Sequence, residues 1–107
     1  MLQIPADTRV YGMQLPVQAQ STLFAADWET KAGPAELARV ARAADASGYF
    51  YVGVCDHIAI PSAYAGSMGT YWQDCLTTLG WLAAQTTNVA LLSHIYVLAF
   101  RHPLVAA

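Results

Sequence analysis

Charge is what this sequence has least of: charged residues occupy 11% of its 107 positions, where about 25% is usual. Its five cationic Lys and Arg residues, Arg9, Lys31, Arg39, Arg42 and Arg101, are scattered, and the net charge is −2. No basic stripe exists for a phosphate backbone to lie along, so nucleic acid is not an expected partner. Long apolar runs are missing as well. The longest candidate, Val89 to Phe100, is broken by Ser93 and His94, which leaves it short of the roughly 18 residues that mark a membrane span. The start, MLQIPADTRV, carries neither the basic region nor the apolar segment of a secretory signal. The expectation is a cytoplasmic protein without membrane contact. Cysteine is limited to Cys55 and Cys75 with no CxxC spacing. They fall in a predicted strand and a predicted helix, and read as small buried apolar residues rather than a disulfide or zinc ligands. A GxGxxG phosphate loop is absent too.

What the sequence has in quantity is apolar side chains, 56% of the total. A chain of this length suits one small domain that buries about two thirds of its unfolded surface. So few charges for its surface point to a larger assembly. The chemistry concentrates in Tyr49 to Pro61, YFYVGVCDHIAIP, where an apolar run ends abruptly in Asp56 and His57. Tyr49, Phe50, Tyr51, Val52 and Val54 are aromatic or β-branched with no polar alternation, the pattern of a parallel strand covered on both faces. A carboxylate and an imidazole at the end of such a strand need hydrogen bonds or a ligand to offset their burial. The carboxyl end of parallel strands is also where α/β enzymes keep their sites. Two readings of the pair follow: Asp56 caps the next loop and His57 is an ordinary surface residue, or the two form a reactive site.

Elsewhere, Tyr11 to Val17 (YGMQLPV) reads as a first strand, with Gly12 leaving room for a close neighbour. A long loop from Gln18 to Gly33, carrying Phe24 and Trp28, leads to a helix. Gly33 caps it, Pro34 opens it, Glu36 lies in its first turn, and Leu37, Val40, Ala41 and Ala44 form its apolar stripe up to Gly48. A second long loop, His57 to Trp72, precedes another helix, capped by Asp74 and running to about Gln85 with Leu76, Leu79, Leu82 and Ala83 on its apolar face. Val89 to Leu98 is a third strand, and Phe100 to Pro103 opens a third helix. Strand starts near 11, 50 and 89 recur evenly, so the pattern is a repeated β-loop-α unit. Helix-to-strand turns are short and strand-to-helix loops long, the asymmetry an active site at the carboxyl ends requires.

Four segments, YGMQLPV, VCDHIAIP, YWQDCLTTLGWLAAQTTNVALL and SHIYVLAFRHPLVAA, together resemble the start of a bacterial luciferase-like monooxygenase, in particular its coenzyme F-420-dependent branch. The DH pair after the second strand and the RHP after the third, joined by LAAQT, carry the resemblance. It implies an α/β fold in which residues 1–107 form the first three βα units of a TIM (β/α)8 barrel, an N-terminal portion of the domain ending at the start of the third helix. It also implies hydride transfer between a deazaflavin (coenzyme F-420) and a small organic substrate, with FMN and monooxygenation as the alternative. By position, His57 matches the histidine near the reacting centre and Asp56 the acidic residue beside it, the implied catalytic pair. Ser93, His94 and Ile95, with His57, match the cofactor-binding residues, the His94–Ile95 pair forming a bulge, often with a non-proline cis peptide, that backs the deazaflavin ring. The sequence departs from the family at His94, where Gly, Ser or Cys is common.

Chemistry agrees with this reading, since hydride transfer leaves a substrate proton to be moved and a histidine can take or give it near neutral pH. Asp56 is then a candidate to orient the imidazole. Arg101 and His102, beyond the third strand, suit an anionic ligand, or, for Arg101, the simpler role of packing against a neighbouring loop. A metal-dependent hydrolase is disfavoured because the first strand ends without His-x-His or any second ligand pair; no metal site is expected. Three units do not close an eight-stranded barrel. The chain is therefore expected to be inactive alone, and to form homo-oligomers or associate through exposed sheet edges.

Overall fold

The computed structural model describes residues 3–17 and 25–107. The part of the expected first loop at residues 18–24, Phe24 included, lies outside the described residues. The described chain is mixed α/β with three parallel strands in one sheet, β1 (Gly12–Gln14), β2 (Tyr51–Val54) and β3 (Ala90–Ser93), in spatial order β1-β2-β3. Met13 pairs with Val52 and Val52 with Leu91, which places Gln14, Val54 and Ser93 at one carboxyl edge.

Helix α1 (Pro34–Ala46) forms as the sequence suggests. Glu36 reaches back to accept the Gly33 N–H at 2.9 Å, and Leu37, Ala38, Ala41 and Ala44 are buried. It ends in a Schellman turn: the Tyr49 N–H donates to the Ala44 carbonyl at 3.0 Å and the Gly48 N–H to that of Asp45 at 3.3 Å. Gly48 sits at φ 76°, a conformation in which a side chain is costly. The freed carboxylate of Asp45 then accepts the N–H groups of Thr87 at 2.8 Å, Asn88 at 2.8 Å and Val89 at 2.7 Å. Those bonds hold its pKa below the usual value, Thr87 contributing most. One side chain at the end of α1 thereby fixes the turn that starts β3.

Between β2 and the next long helix, the expected loop His57–Trp72 holds a 3-10 turn (Ser62–Tyr64) continuing into the single-turn α2 (Ala65–Met68). Helix α3 (Cys75–Ala83) is capped by Asp74, whose carboxylate accepts the Thr77 N–H at 2.8 Å. Its buried face differs from the one expected. Cys75, Thr78 and Leu82 are buried and Leu79 packs against them, while Leu76 and Ala83 face outward. Thr78 is accepted there because its hydroxyl donates to the Asp74 carbonyl at 2.6 Å, so that hydroxyl is not left unpaired. A short helix, α4 (Pro103–Ala106), follows a 3-10 turn at Leu98–Phe100.

Strand β3 is shorter than the expected Val89–Leu98. Beyond Ser93 the His94 N–H still donates to the Val54 carbonyl at 2.8 Å, but the Val97 N–H goes to a side chain, Asp56, instead of a ladder partner. The apolar run to Leu98 reads as strand in sequence because its residues favour extended backbone, whereas hydrogen bonding ends the strand. Strand β1 is likewise trimmed from Tyr11–Val17 to Gly12–Gln14, flanked by single bonds from Phe50 N–H to the Tyr11 carbonyl at 2.7 Å and from Leu15 N–H to the Gly53 carbonyl at 3.0 Å.

One face of the sheet is covered. Leu15, Val52, Val54 and Val89 form a core with Leu37, Ala41, Ala44, Cys75 and Leu82, and Met13 and Leu91 pack against it. By strand alternation the opposite face carries Gly12, Gln14, Tyr51, Gly53, Ala90 and Leu92. There the Tyr51 ring lies directly over Gly12, in the space a Cβ would occupy. Only glycine fits. Gly12→Ala is expected to destabilise the fold by about 1–3 kcal/mol through overpacking, read as a lower denaturant midpoint, and Tyr51→Val in the same chain to recover part of the loss. Equal midpoints for Gly12→Ala and the parent contradict the close contact.

Candidate functional site at the carboxyl edge of the sheet

Because the strands are parallel, the segments leaving β2 and β3 begin at one edge, and the residues singled out in the sequence meet there. Asp56 lies two residues past β2 and is 6% exposed. Its Oδ1 accepts from Arg101 Nη2 at 2.7 Å and its Oδ2 from the Val97 N–H at 2.8 Å. Both oxygens are turned toward the segment after β3 and not toward His57. Arg101 closes the arrangement, donating from Nη1 to the Val97 carbonyl at 3.2 Å and resting on the Tyr96 ring, 4.3 Å from its centroid. Its pKa is raised, chiefly by the hydrogen bond to Asp56, with the charges of Asp56, Tyr96 and Asp74 adding to it. Arg101 therefore packs structurally against a neighbouring loop, and His102 caps α4, its Nδ1 accepting the Leu104 N–H at 3.3 Å.

His57 is half-buried and stacks on Trp72, with ring centroids 4.0 Å apart and planes tilted by 45°. Trp72 donates its indole N–H to the Gly69 carbonyl at 3.4 Å, and its contact with His57 brings the far end of the β2–α3 connection back over its beginning. At the end of β3, Ser93 is half-buried opposite Val54. His94 is exposed, and the peptide bond between His94 and Ile95 is cis. Ile95 is 73% exposed, an apolar side chain held in the open at the rim. A Cβ placed on Gly53, the neighbouring position of β2, would meet His94 Cβ at 3.4 Å.

Three contributors escaped sequence reasoning. Trp72 had a signal, a large aromatic among Gly, Ser and Thr in a loop. Gln14 had another, as the lone amide in an apolar strand; its Nε2 donates to the Cys55 sulfur. Tyr96 had none, because its use depends on Arg101 folding back over it. The site is also flanked by a cavity of about 310 Å³ lined by Leu98, Arg101, Pro103, Ala106 and Ala107. His57 and His94 do not line it.

Residues 13–107 match the family model of luciferase-like monooxygenases. That match covers nearly the whole described chain, and the family is one of oxidoreductases and monooxygenases. The chain belongs to the luciferase-like monooxygenase family. No curated protein and no solved structure matches it. Among the described residues, no helix is long and apolar enough to cross a membrane.

Neither cysteine is in a disulfide, and both are buried. Burial raises the pKa of Cys55, and it pushes that of Cys75 up to about 11, with the Asp56 and Asp74 charges adding to the shift. The reactive thiolate is thus suppressed at neutral pH. Because the unfolded thiol titrates at about 9.0, the native state keeps its proton to higher pH, and stability falls as pH climbs from about 9 toward 11. Alkylation of native protein at pH 7.5 is expected to be slow at both thiols and to become fast on unfolding. Rapid labelling of Cys75 in the native state contradicts its burial.

Proposed function

We propose that this protein is a coenzyme F-420-dependent oxidoreductase that transfers hydride between the deazaflavin and a small organic substrate at the carboxyl edge of the sheet, within a TIM barrel of which these three βα units are the first. The observation that carries this reading is the placement of His57 on the same edge as the turn formed by Ser93, His94 and Ile95, in a chain of the luciferase-like family. The residues suit a planar ring. Gly53 presents no side chain, Leu92 and Ile95 offer exposed apolar area, and Ser93, His94 and His57 supply polar groups around it. His94, where a small residue is common in the family, narrows the space over the ring and makes the fit selective.

When bound, a deazaflavin supplies or accepts the hydride. The chain's own part is to hold the substrate and move the accompanying proton, which a ring nitrogen of His57 gives or takes. Stacking on Trp72 restricts the imidazole to a narrow range of orientations, the positional requirement for such transfer. The outer edges of β1 and β3 carry no further strand among the described residues. Closure needs eight strands, and we infer that these edges pair with further units of a longer chain or with another copy, so that turnover belongs to the completed barrel in the cytoplasm.

Titration of the completed barrel with both cofactors tests the assignment: preferential binding of the deazaflavin is expected, and tight FMN binding with oxygen consumption would move the protein to the flavin monooxygenases. In the same protein, His57→Gln is expected to lower kcat by roughly 10²–10⁴-fold, the usual contribution of a general acid or base, and to flatten one limb of the pH–rate profile. An unchanged kcat removes His57 from the proton path.

A further inference from the structure

A carboxylate beside the proposed acid–base histidine suggests at first a catalytic partner, yet its contacts lead elsewhere. Asp56 reaches across to the segment after β3 and takes the Val97 N–H, while Arg101 takes the Val97 carbonyl and bonds to Asp56. Val97 is thus held by both of its backbone groups, two residues beyond the His94–Ile95 turn. The Asp56 and Arg101 side chains are 2% and 10% exposed, so solvent has little access to the pair, and hydrogen bonds to charged groups in such surroundings are strong and geometrically demanding. The groups facing Arg101 are Asp56, Tyr96 and, through its charge, the α3 cap Asp74. Two connections of the carboxyl edge, β2–α3 and β3–α4, therefore converge on one guanidinium.

We propose that Asp56 is a positioning residue: with Arg101 it locks the β3–α4 segment to the end of β2, so that the His94–Ile95 turn and His57 keep a fixed separation. The economy lies in sequence adjacency. Asp56 directly precedes His57, so the anchor of the turn and the base of the histidine are one stretch of backbone. Cofactor fit at the turn and proton transfer at His57 then depend on the same ion pair, although Asp56 exchanges no proton with substrate. This rests on the carboxyl edge being the reaction site, and the experiment separates the two ideas.

Asp56→Asn retains one acceptor oxygen, Asp56→Ala none, and Arg101→Gln removes the opposite charge. In the completed protein, amide exchange at Val97 is expected to quicken about tenfold in Asp56→Ala, the loss of one good hydrogen bond, and less in Asp56→Asn. The Asp56→Asn and Arg101→Gln effects on Val97 exchange should be non-additive, since each removes the same contact. kcat/KM with the preferred cofactor should fall about 10²-fold, the effect of a small displacement of reacting groups, with both limbs of the pH profile unmoved. Should Asp56→Ala fail to fold, Arg101→Lys, which keeps the charge and loses the planar fork, is expected to show the faster Val97 exchange. Unaltered Val97 exchange, additive effects, or loss of a pH limb in Asp56→Asn would overturn the proposal. A protein that binds neither cofactor defeats the functional reading alone, because exchange and additivity still decide the lock.

Discussion

A carboxylate buried at the end of a sheet strand must be compensated, and much of the carboxyl edge of this protein follows from how Asp56 is compensated. Leaving such a group unpaired costs more than most single contacts supply. The chain satisfies it with a guanidinium and a backbone N–H from the segment after β3. The Val97 N–H is thereby committed to a side chain and not to the ladder of β3, and Arg101 rests on Tyr96. The segment after β3 is tied to the end of β2 through this one buried charge.

On the opposite, amino-terminal side of the sheet a second carboxylate plays the corresponding part. Asp45 gathers three consecutive N–H groups at Thr87, Asn88 and Val89, fixing where β3 enters the sheet. The strand is thus set at its start by an acid on α1 and at its end by an acid beyond β2. Between them, packing does the rest, with Val52 and Val54 fully buried against α1 and α3. Charge is scarce in this sequence, and several of its few acids carry a structural task of this kind: Glu36 holds the first turn of α1, and Glu29 accepts the N–H groups of Val17 at 2.7 Å and Ala26 at 2.9 Å.

A division of labour between the sheet's two faces follows. The covered face is aliphatic and closely packed, as stability requires. The opposite face combines glycines, a glutamine, a tyrosine, an alanine and a leucine. Gly12 is shaped to the Tyr51 ring above it, so even on the open face part of the composition serves packing.

The sequence alone determined the elements that depend on neighbouring residues. Gly33 and Pro34 start α1, Gly48 ends it, Asp74 caps α3, and the apolar pattern of Tyr49–Val54 marks a strand, observed over Tyr51–Val54; each needs only contacts within a few residues, while the cover expected on both faces is present on one. The parallel arrangement was legible from the even recurrence of short turns and long loops. Only the tertiary structure decided the rest. Asp56 and His57 look alike in sequence as ionisable neighbours, but one turns to Arg101 and the other to Trp72, because adjacent side chains leave extended backbone in opposite directions. Leu76 and Thr78 exchange their expected places since a hydroxyl bonded to the Asp74 carbonyl can be buried, and the rotation of α3 against the sheet determines which side of the helix faces inward. The end of β3 was hidden for the same reason: the partner that takes the Val97 N–H comes from a residue 41 positions away, and no local pattern of apolar residues records a hydrogen bond formed at that range.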